Sequence, residues 1–273
     1  MNVRELARSV RGQLEDSAIA DAAFEAEYLV RGVTGVDRAA YFADGSVTTE
    51  ALRHVQGAVA RRLKREPAAY VLGTREFFGL AFAVTDAALI PRPESELLVE
   101  VALQELGLDP RAQVADAGTG SGCIAVSVAV HAPLARVAAV DRCPRALRLA
   151  SVNATRHGAN VDFIRGDLLE AVDTAHVILA NLPYIPSGDI ATLEPEVRDW
   201  EPRIALDGGH DGLDLVRRLV HDCGDRLRPR LLALEVGAGQ AAAVAVLCGR
   251  AGAAVEVLPD LAGIERVVVA RWR

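Results

Sequence analysis

Residues 114–132 place the strongest constraint on the fold. Val114-Ala-Asp-Ala-Gly-Thr-Gly-Ser-Gly122 carries an apolar strand into a glycine-rich turn, and an apolar helix follows from Cys123 to about Ala132. A strand and a helix that are both apolar, joined by one turn, bury their surfaces together in a layered α/β fold. The same alternation continues. Arg136–Asp141 reads as a strand and Pro144–Thr155 as a helix, and Asp162–Asp167 and His176–Asn181 read as strands. The helix Leu213–Leu227, the strand Leu231–Val236 and the helix Gln240–Arg250 follow. Such alternation implies right-handed crossovers and a mostly parallel, doubly wound sheet. Val255–Leu258 and Arg266–Ala270 are joined only by Pro259–Glu265, too short for a crossover, so they predict a C-terminal antiparallel hairpin.

The chain before this region is different. Leu6, Val10 and Leu14 fall at helical spacing, as do Ala22, Ala26, Leu29 and Val30, and then Leu52, Val55, Val59 and Leu63. Asp21 and Thr48 stand where N-caps belong, and Gly32, Gly35 and Asp44-Gly45 break the pattern. Residues 1–70 therefore predict a small helical bundle. Its run Arg61-Arg-Leu-Lys-Arg65 reads first as a solvated helix face, and second as a docking surface for an acidic or nucleic-acid partner. Residues 71–94 form a linker. Gly73 and Gly79 punctuate an aromatic run from Tyr70 to Val84 that reads as a β-hairpin, and Pro91-Arg-Pro-Glu94 is a rigid elbow. Ser95 or Glu94 then opens a helix, and residues 95–273 form the α/β domain.

Composition excludes several classes. The 273 residues carry a net charge of −7, which argues against a general polyanion binder. Residues 1–80 hold 11 basic and 11 acidic side chains, leaving 19 against 26 beyond them, so the deficit lies in the α/β part. No run reaches the ~18 apolar residues that span a bilayer. No secretory leader is visible at the start. Cys123, Cys143, Cys223 and Cys248 show no C-x-x-C pairing, which fits reduced thiols in a cytoplasmic protein with no disulfide, zinc or other metal framework.

Ligands of such sheets bind at the carboxyl ends of the strands. Here those ends are Asp116 to Gly122, Asp141, Asp167 and Asn181 to Tyr184. A polar strand end is ordinary alone, but four in succession outline a site. Gly118, Gly120 and Gly122 give G-x-G-x-G, whereas a dinucleotide site wants a third glycine at the position of Cys123. The turn still allows close backbone approach, and the helix N-terminus favours a carboxylate. A methionine carboxylate fits it, and Asp116 can receive the matching ammonium. Asp141 can accept both hydroxyls of a ribose, and Asp167 an adenine amino proton. Together they outline a nucleoside bearing an amino acid.

In Asn181-Leu-Pro-Tyr184, Pro183 restricts Leu182 to an extended conformation. The Asn181 side-chain oxygen and the Leu182 carbonyl can both accept from one NH2 group, and Tyr184 offers an aromatic wall. Such a site suits a planar amide or an amino-purine.

With these residues in hand, the chain resembles the HemK/PrmC family of S-adenosylmethionine-dependent methyltransferases along nearly its whole length. The resemblance rests on Leu72-Gly-Thr-Arg-Glu-Phe-Phe-Gly-Leu80, Ile90-Pro-Arg-Pro-Glu-Ser-Glu96, Asp116–Gly122, Asn181-Leu-Pro-Tyr184, Glu201–Gly209, Glu235-Val-Gly and Asp260–Val268. It implies a Rossmann-like class I methyltransferase preceded by the helical bundle. It also implies methylation of the side-chain amide of a glutamine in the Gly-Gly-Gln loop of peptide chain release factors. By it Asp116, Gly118, Thr119, Gly120, Ser121, Gly122, Asp141, Asp167, Leu168 and Asn181 bind S-adenosylmethionine. Asn181, Leu182, Pro183 and Tyr184, with Arg92 and Glu94, bind the glutamine, and Asn181, Pro183 and Tyr184 carry the catalysis. The N-terminal bundle helps dock the release factor, with no direct contact to nucleic acid or membrane, and a monomer is expected. Two departures stand out: the family's usual Asn-Pro-Pro-Tyr is Asn-Leu-Pro-Tyr here, and its Pro-Glu-Thr-Glu has Ser95. Leu182 leaves an alternative acceptor in view, another amide or amine in adenine of a nucleic acid or in a small molecule.

Overall fold

The structure, a computed structural model, describes residues 1–42 and 46–272, so the expected helix break at Asp44-Gly45 lies outside the described residues. The chain divides into two units, Met1–Thr74 with Glu194–Trp200, and Arg75–Leu193 with Glu201–Arg273.

The first unit is helical. Helix α1 (Val3–Asp16) opens on a capping box: Glu5 N–H donates to the Asn2 side chain at 2.7 Å, and Asn2 N–H to the Glu5 carboxylate at 2.9 Å. Helix α2 (Ala22–Thr34) does not begin on the expected Asp21 cap. Asp21 sits at φ 49°, and its side chain makes no cap bond, because a capping side chain needs the extended backbone that Asp21 has left. Helices α3 (Arg38–Phe42), α4 (Thr49–Arg62) and α5 (Ala68–Leu72) follow. Thr48 caps α4 as expected, accepting from Ala51 N–H at 3.1 Å. Leu6, Val10, Leu14, Leu29, Val30, Val55 and Val59 form the core.

The basic run at the end of α4 is a solvated face only in part: Arg61, Leu63 and Lys64 are exposed, and Arg65 is half-buried. Arg62 is buried and pairs with Glu25 at 2.5 Å and with Glu196 at 2.9 Å. Arg65 reaches Glu196 at 3.1 Å and the Ser17 carbonyl at 2.7 Å, and Arg61 pairs with Glu66. Three of the five residues thus fasten the unit internally. Of these arginines only Arg62 is buried, and its two carboxylate partners offset the cost of burying its charge.

The second unit opens with a hairpin of β1 (Thr74–Phe77) and β2 (Leu80–Ala83). Its turn residues Phe78 and Gly79 lie at φ 50° and 72°, the positive pair that a tight hairpin turn requires. A 3-10 turn at Pro93–Ser95 leads into α6 (Glu96–Leu108). Then come β3 (Gln113–Ala117), α7 (Cys123–His131), β4 (Arg136–Asp141), α8 (Pro144–His157), β5 (Val161–Arg165) and β6 (Val177–Ala180). The single turn α9 (Pro195–Arg198) belongs to the first unit. After it come α10 (Asp214–Asp222), β7 (Leu231–Glu235), α11 (Ala241–Arg250), β8 (Ala254–Pro259) and β9 (Glu265–Arg271). The helix expected to reach Leu227 stops at Asp222 and widens into a π-type turn, Cys223–Leu227.

The described strands form a seven-stranded sheet in the order β5-β4-β3-β6-β7-β9-β8. It is parallel from β5 to β7, and β9 runs antiparallel to both β7 and β8. The mostly parallel sheet and the terminal hairpin are as the sequence predicted. From β3 the chain winds outward through β4 and β5, then returns to β6 on the other side. This reversal is a topological switch point, where a doubly wound sheet opens a crevice. Ala117 pairs with Ala180 across it, so Gly118 and Asn181 leave the sheet as neighbours.

Candidate active site

Asp116, one residue before the end of β3, is fully buried. Its Oδ2 accepts from the Thr119 hydroxyl at 2.6 Å and from Ala125 N–H at 3.3 Å, while Oδ1 has no partner. Burial pushes its carboxyl up to about 7, and the charge of Asp141 adds to the rise. An unpartnered buried carboxylate oxygen is costly, and a cation placed against it removes the cost.

Gly118, Gly120 and Gly122 adopt φ 75°, 55° and 81°. A side chain at Gly122 would place its Cβ 2.9 Å from the Ala150 Cβ of α8, so this glycine brings turn and helix together. A Cβ at Gly118 would stand 3.1 Å from Leu182 Cδ2. The N–H groups of Gly118 and Thr119 both donate to the Val140 carbonyl at 2.9 Å, tying the turn to β4. Ser121 is buried, and its carbonyl accepts from Asn153 Nδ2 at 2.9 Å. Asn153 also holds Ala83 through both backbone groups, so one buried amide joins the linker hairpin, α8 and the glycine turn.

Asp141 accepts from Gly120 N–H at 2.9 Å and Cys143 N–H at 2.8 Å, one bond to each oxygen. Each oxygen keeps further accepting capacity. Asp167 pairs with Arg218 at 2.7 Å. Leu168 beside it sits at φ 51°, unusual for a leucine, a strain held in the wall of the site. Gly118, Gly120, Asp141, Asp167, Leu168, Asn181, Leu182 and Pro183 line a single cleft that is open to solvent. Gly118, Gly120, Asp141, Asp167 and Asn181 to Pro183 thus border one space, whereas Asp116, Thr119, Ser121, Gly122 and Tyr184 are not among its lining residues.

The Asn181 loop is held from several sides. Asn181 Nδ2 donates to Ser95 Oγ at 2.9 Å, and the Ser95 hydroxyl donates to Glu235 Oε2 at 2.5 Å. Leu182 is buried. The Tyr184 carbonyl accepts from Gln240 at 2.9 Å, and burial raises the Tyr184 phenol, with Glu235 adding to the rise. Leu206–Gly209 runs alongside: Ile185 N–H donates to the Leu206 carbonyl at 3.1 Å and Gly208 N–H to the Ile185 carbonyl at 2.9 Å. Side chains at Gly208 and Gly212 would put Cβ atoms 2.6 Å from the Pro183 oxygen and 2.2 Å from the Tyr184 oxygen.

Arg92 and Glu94 are not part of the cleft lining. Arg92 pairs with the buried Glu201, which also accepts from Ile90 N–H at 3.1 Å, so the elbow is clamped to the Glu201 segment. Glu94 lines a separate groove with Pro259, Asp260 and Leu261. Sequence reasoning gave no role to Ser95 beyond a helix start, and none to Glu235, Gln240, Gly208 or Gly212. Ser95, Gly208 and Glu235 fall inside the resembling motifs, and Gly212 and Gln240 fall outside all of them. Among the described residues no cluster of three His, Cys, Asp or Glu could hold a metal, and no helix is long and apolar enough to cross a membrane.

Comparisons with known proteins agree with this geometry. A family profile described as the PrmC N-terminal domain matches residues 5–73, and one described as a methyltransferase small domain matches residues 93–193. A release factor glutamine methyltransferase of Geobacter sulfurreducens is 42% identical over 98% of this chain and 96% of its own length. The protein of the same description from Gloeobacter violaceus is 45% identical over 90% of each chain. Among solved structures, the hMettl16 catalytic domain with the MAT2A 3′UTR hairpin 6 superposes with a TM-score of 0.58 at 14% identity, covering 83% of both chains. The Thermus thermophilus 16S rRNA N2 G1207 methyltransferase with AdoMet and guanosine gives 0.51 at 20% identity, over 73% of this chain and 50% of that one. At such identities these two establish the fold alone, that of class I methyltransferases.

Proposed function

The chain belongs to the release factor glutamine methyltransferase family, and on that premise we propose that it methylates the side-chain amide nitrogen of the glutamine in the Gly-Gly-Gln loop of peptide chain release factors, with S-adenosylmethionine as donor. One observation carries the reading. The glycine turn and Asn181-Leu-Pro183 wall the same cleft, side by side at the switch point, so donor and amide meet in one space.

The residues present fit that donor. The unpartnered Asp116 Oδ1 suits its ammonium, the Gly118–Gly122 turn its carboxylate, and Asp141 and Asp167 its ribose and adenine. When bound, S-adenosylmethionine supplies an electrophilic methyl on a sulfonium. The chain's own residues do the rest. Asn181 Oδ1 and the Leu182 carbonyl accept the two N–H groups of the glutamine amide, Pro183 keeps that carbonyl in place, and Tyr184 flanks the planar group. An amide nitrogen is a poor nucleophile because its lone pair is delocalised. Acceptors that fit better as the nitrogen pyramidalises favour the transition state over the ground state. No base is required beforehand, since the proton leaves after transfer.

In this reading residues 1–70 dock the protein substrate, 71–94 link, and 95–273 catalyse. The enzyme works as a monomer in the cytoplasm on protein and not on nucleic acid, which its charge of −7 supports. Purified enzyme given release factor and methyl-labelled donor should place the label on the Gly-Gly-Gln glutamine, located by peptide mass spectrometry. Asn181→Ala should remove it. Label on RNA alone would overturn the proposal.

A further inference from the structure

From the half-buried Asn181 a chain of hydrogen bonds runs to two buried side chains, Ser95 and Glu235, that the reaction as described does not use. Asn181 Nδ2 donates to Ser95 Oγ at 2.9 Å, and the Ser95 hydroxyl donates to Glu235 Oε2 at 2.5 Å. Ser95 and Glu235 are each 1% exposed. The three come from separate elements: the end of β6, the turn before α6, and the end of β7. Their hydrogen bonds have a direction. A carboxylate only accepts, so Ser95 has to donate to Glu235. That leaves the Ser95 oxygen to accept, and what it accepts is an Asn181 N–H. The Asn181 amide is therefore held with its NH2 group turned inward, leaving its oxygen for the cleft that Asn181 lines.

We infer that Ser95 and Glu235 are positioning residues that fix the direction of the Asn181 amide, and so make the site select an acceptor NH2 over a carboxylate. The inference rests on the proposed reaction but deepens it. An amide is nearly symmetric in shape, so packing alone does not tell its oxygen from its nitrogen. Were Asn181 to turn over, its NH2 would meet the NH2 of the acceptor, donor against donor. The same reversed site would welcome a carboxylate. A buried acceptor at the end of the chain removes that ambiguity.

The charge of Glu235 sets the direction. Burial pushes this carboxyl up to about 7, with Glu94 adding to the rise, while the Ser95 hydrogen bond, Arg266 and Arg92 oppose it. Tyr184 and Cys123 face it as well. A protonated Glu235 donates to Ser95, whose hydroxyl then turns to the Asn181 oxygen and favours the reversed amide.

The test compares wild type with Ser95→Ala, Ser95→Thr and Glu235→Gln, all full length. Initial rates use release factor at saturating donor. A release factor carrying Gly-Gly-Glu serves as competitive inhibitor, and donor affinity and melting temperature are followed alongside. Ser95→Ala and Glu235→Gln should lower kcat on the order of a hundredfold and tighten inhibition by the Gly-Gly-Glu form about tenfold, with donor Kd unchanged. Ser95→Thr, which keeps the hydroxyl, should restore both. Wild-type preference against the Gly-Gly-Glu form should weaken from pH 8 to pH 6, and that of Glu235→Gln should not change. A Glu235→Gln enzyme that folds and keeps wild-type kcat and inhibition overturns the inference, as does inhibition that moves only in step with melting temperature. Asn181 is one of four asparagines, with Asn2, Asn153 and Asn160, so asparagine-selective 15N labelling reads its side-chain NH2 directly. One Asn181 proton should be protected from exchange in wild type and exposed in Ser95→Ala. If release factor receives no methyl, the proposed function falls, while this spectrum still decides the positioning.

Discussion

At the scale of single residues the polar strand ends were legible, and their partners were not. Asp116, Asp141 and Asn181 declare themselves because a polar group closes an apolar strand. Asp116 also carries a consequence for pH. Its folded carboxyl stands at about 7 against an ordinary 3.8, because burial disfavours the charge. Its contribution to stability is therefore full below about pH 4 and is lost as pH rises through 7. The total is on the order of 4 kcal/mol at most in the cofactor-free protein. Urea unfolding at pH 5 and pH 7.5 should show this decline in wild type relative to Asp116→Asn, and equal pH dependence of the two would refute it. The same logic makes the affinity for a ligand ammonium rise from pH 6 to pH 7.5, a rise that calorimetry should find in wild type and not in the Asn variant. Ser95 and Glu235 were hidden for a simple reason. They stand 140 positions apart, and nothing local marks them as partners. Leu182, read as a departure from a proline pattern, has a packing role. It is buried, and it lies against the glycine turn where a Gly118 Cβ would go.

At the scale of elements, the alternation that predicted a parallel sheet was readable because strands covered on both faces are apolar throughout. β6 and β7 are buried at every position. The single turns at Ile190–Thr192, Pro195–Arg198 and Arg203–Ala205 were not readable, since segments of three or four residues carry no period. Yet Leu206, Gly208 and Gly212, which follow the last of these turns, support the acceptor loop. Gly212 stands at φ 79°, and a Cβ there would lie 2.2 Å from the Tyr184 oxygen. Gly212→Ala should cost methyl transfer on the order of a hundredfold while donor Kd stays within a few-fold, measured by rates and calorimetry; full activity would mean that the loop yields freely. Gly57 is the contrast. It is exposed within α4 with nothing near its missing Cβ, so Gly57→Ala should raise stability by about 0.5–1 kcal/mol, visible as a higher melting temperature.

At the scale of the whole molecule, the chain crosses between the two units at 74/75, 193/194 and 200/201. The first crossing was legible in the change from helical spacing to an aromatic hairpin. The return of Glu194–Trp200 to the helical unit was not, because it depends on Arg62 finding Glu196, 134 residues further on. Arg62 is 2% exposed and shared between Glu25 and Glu196, so removing its charge strips Glu25 of its partner and leaves Glu196 with Arg65 alone. Breaking a buried pair from one side costs about 3–5 kcal/mol. Glu196 lies outside the sequence-contiguous bundle, so part of that loss should appear as release of a short segment. In Arg62→Met, hydrogen exchange should accelerate together in α2, α4 and Pro195–Arg198. β6 and β7 belong to the other unit and have a core of their own, and they should keep wild-type protection. If protection is lost across both units at once, they unfold as one cooperative body. If Pro195–Arg198 alone is released, the ion pairs anchor only that segment and the bundle holds by its apolar core.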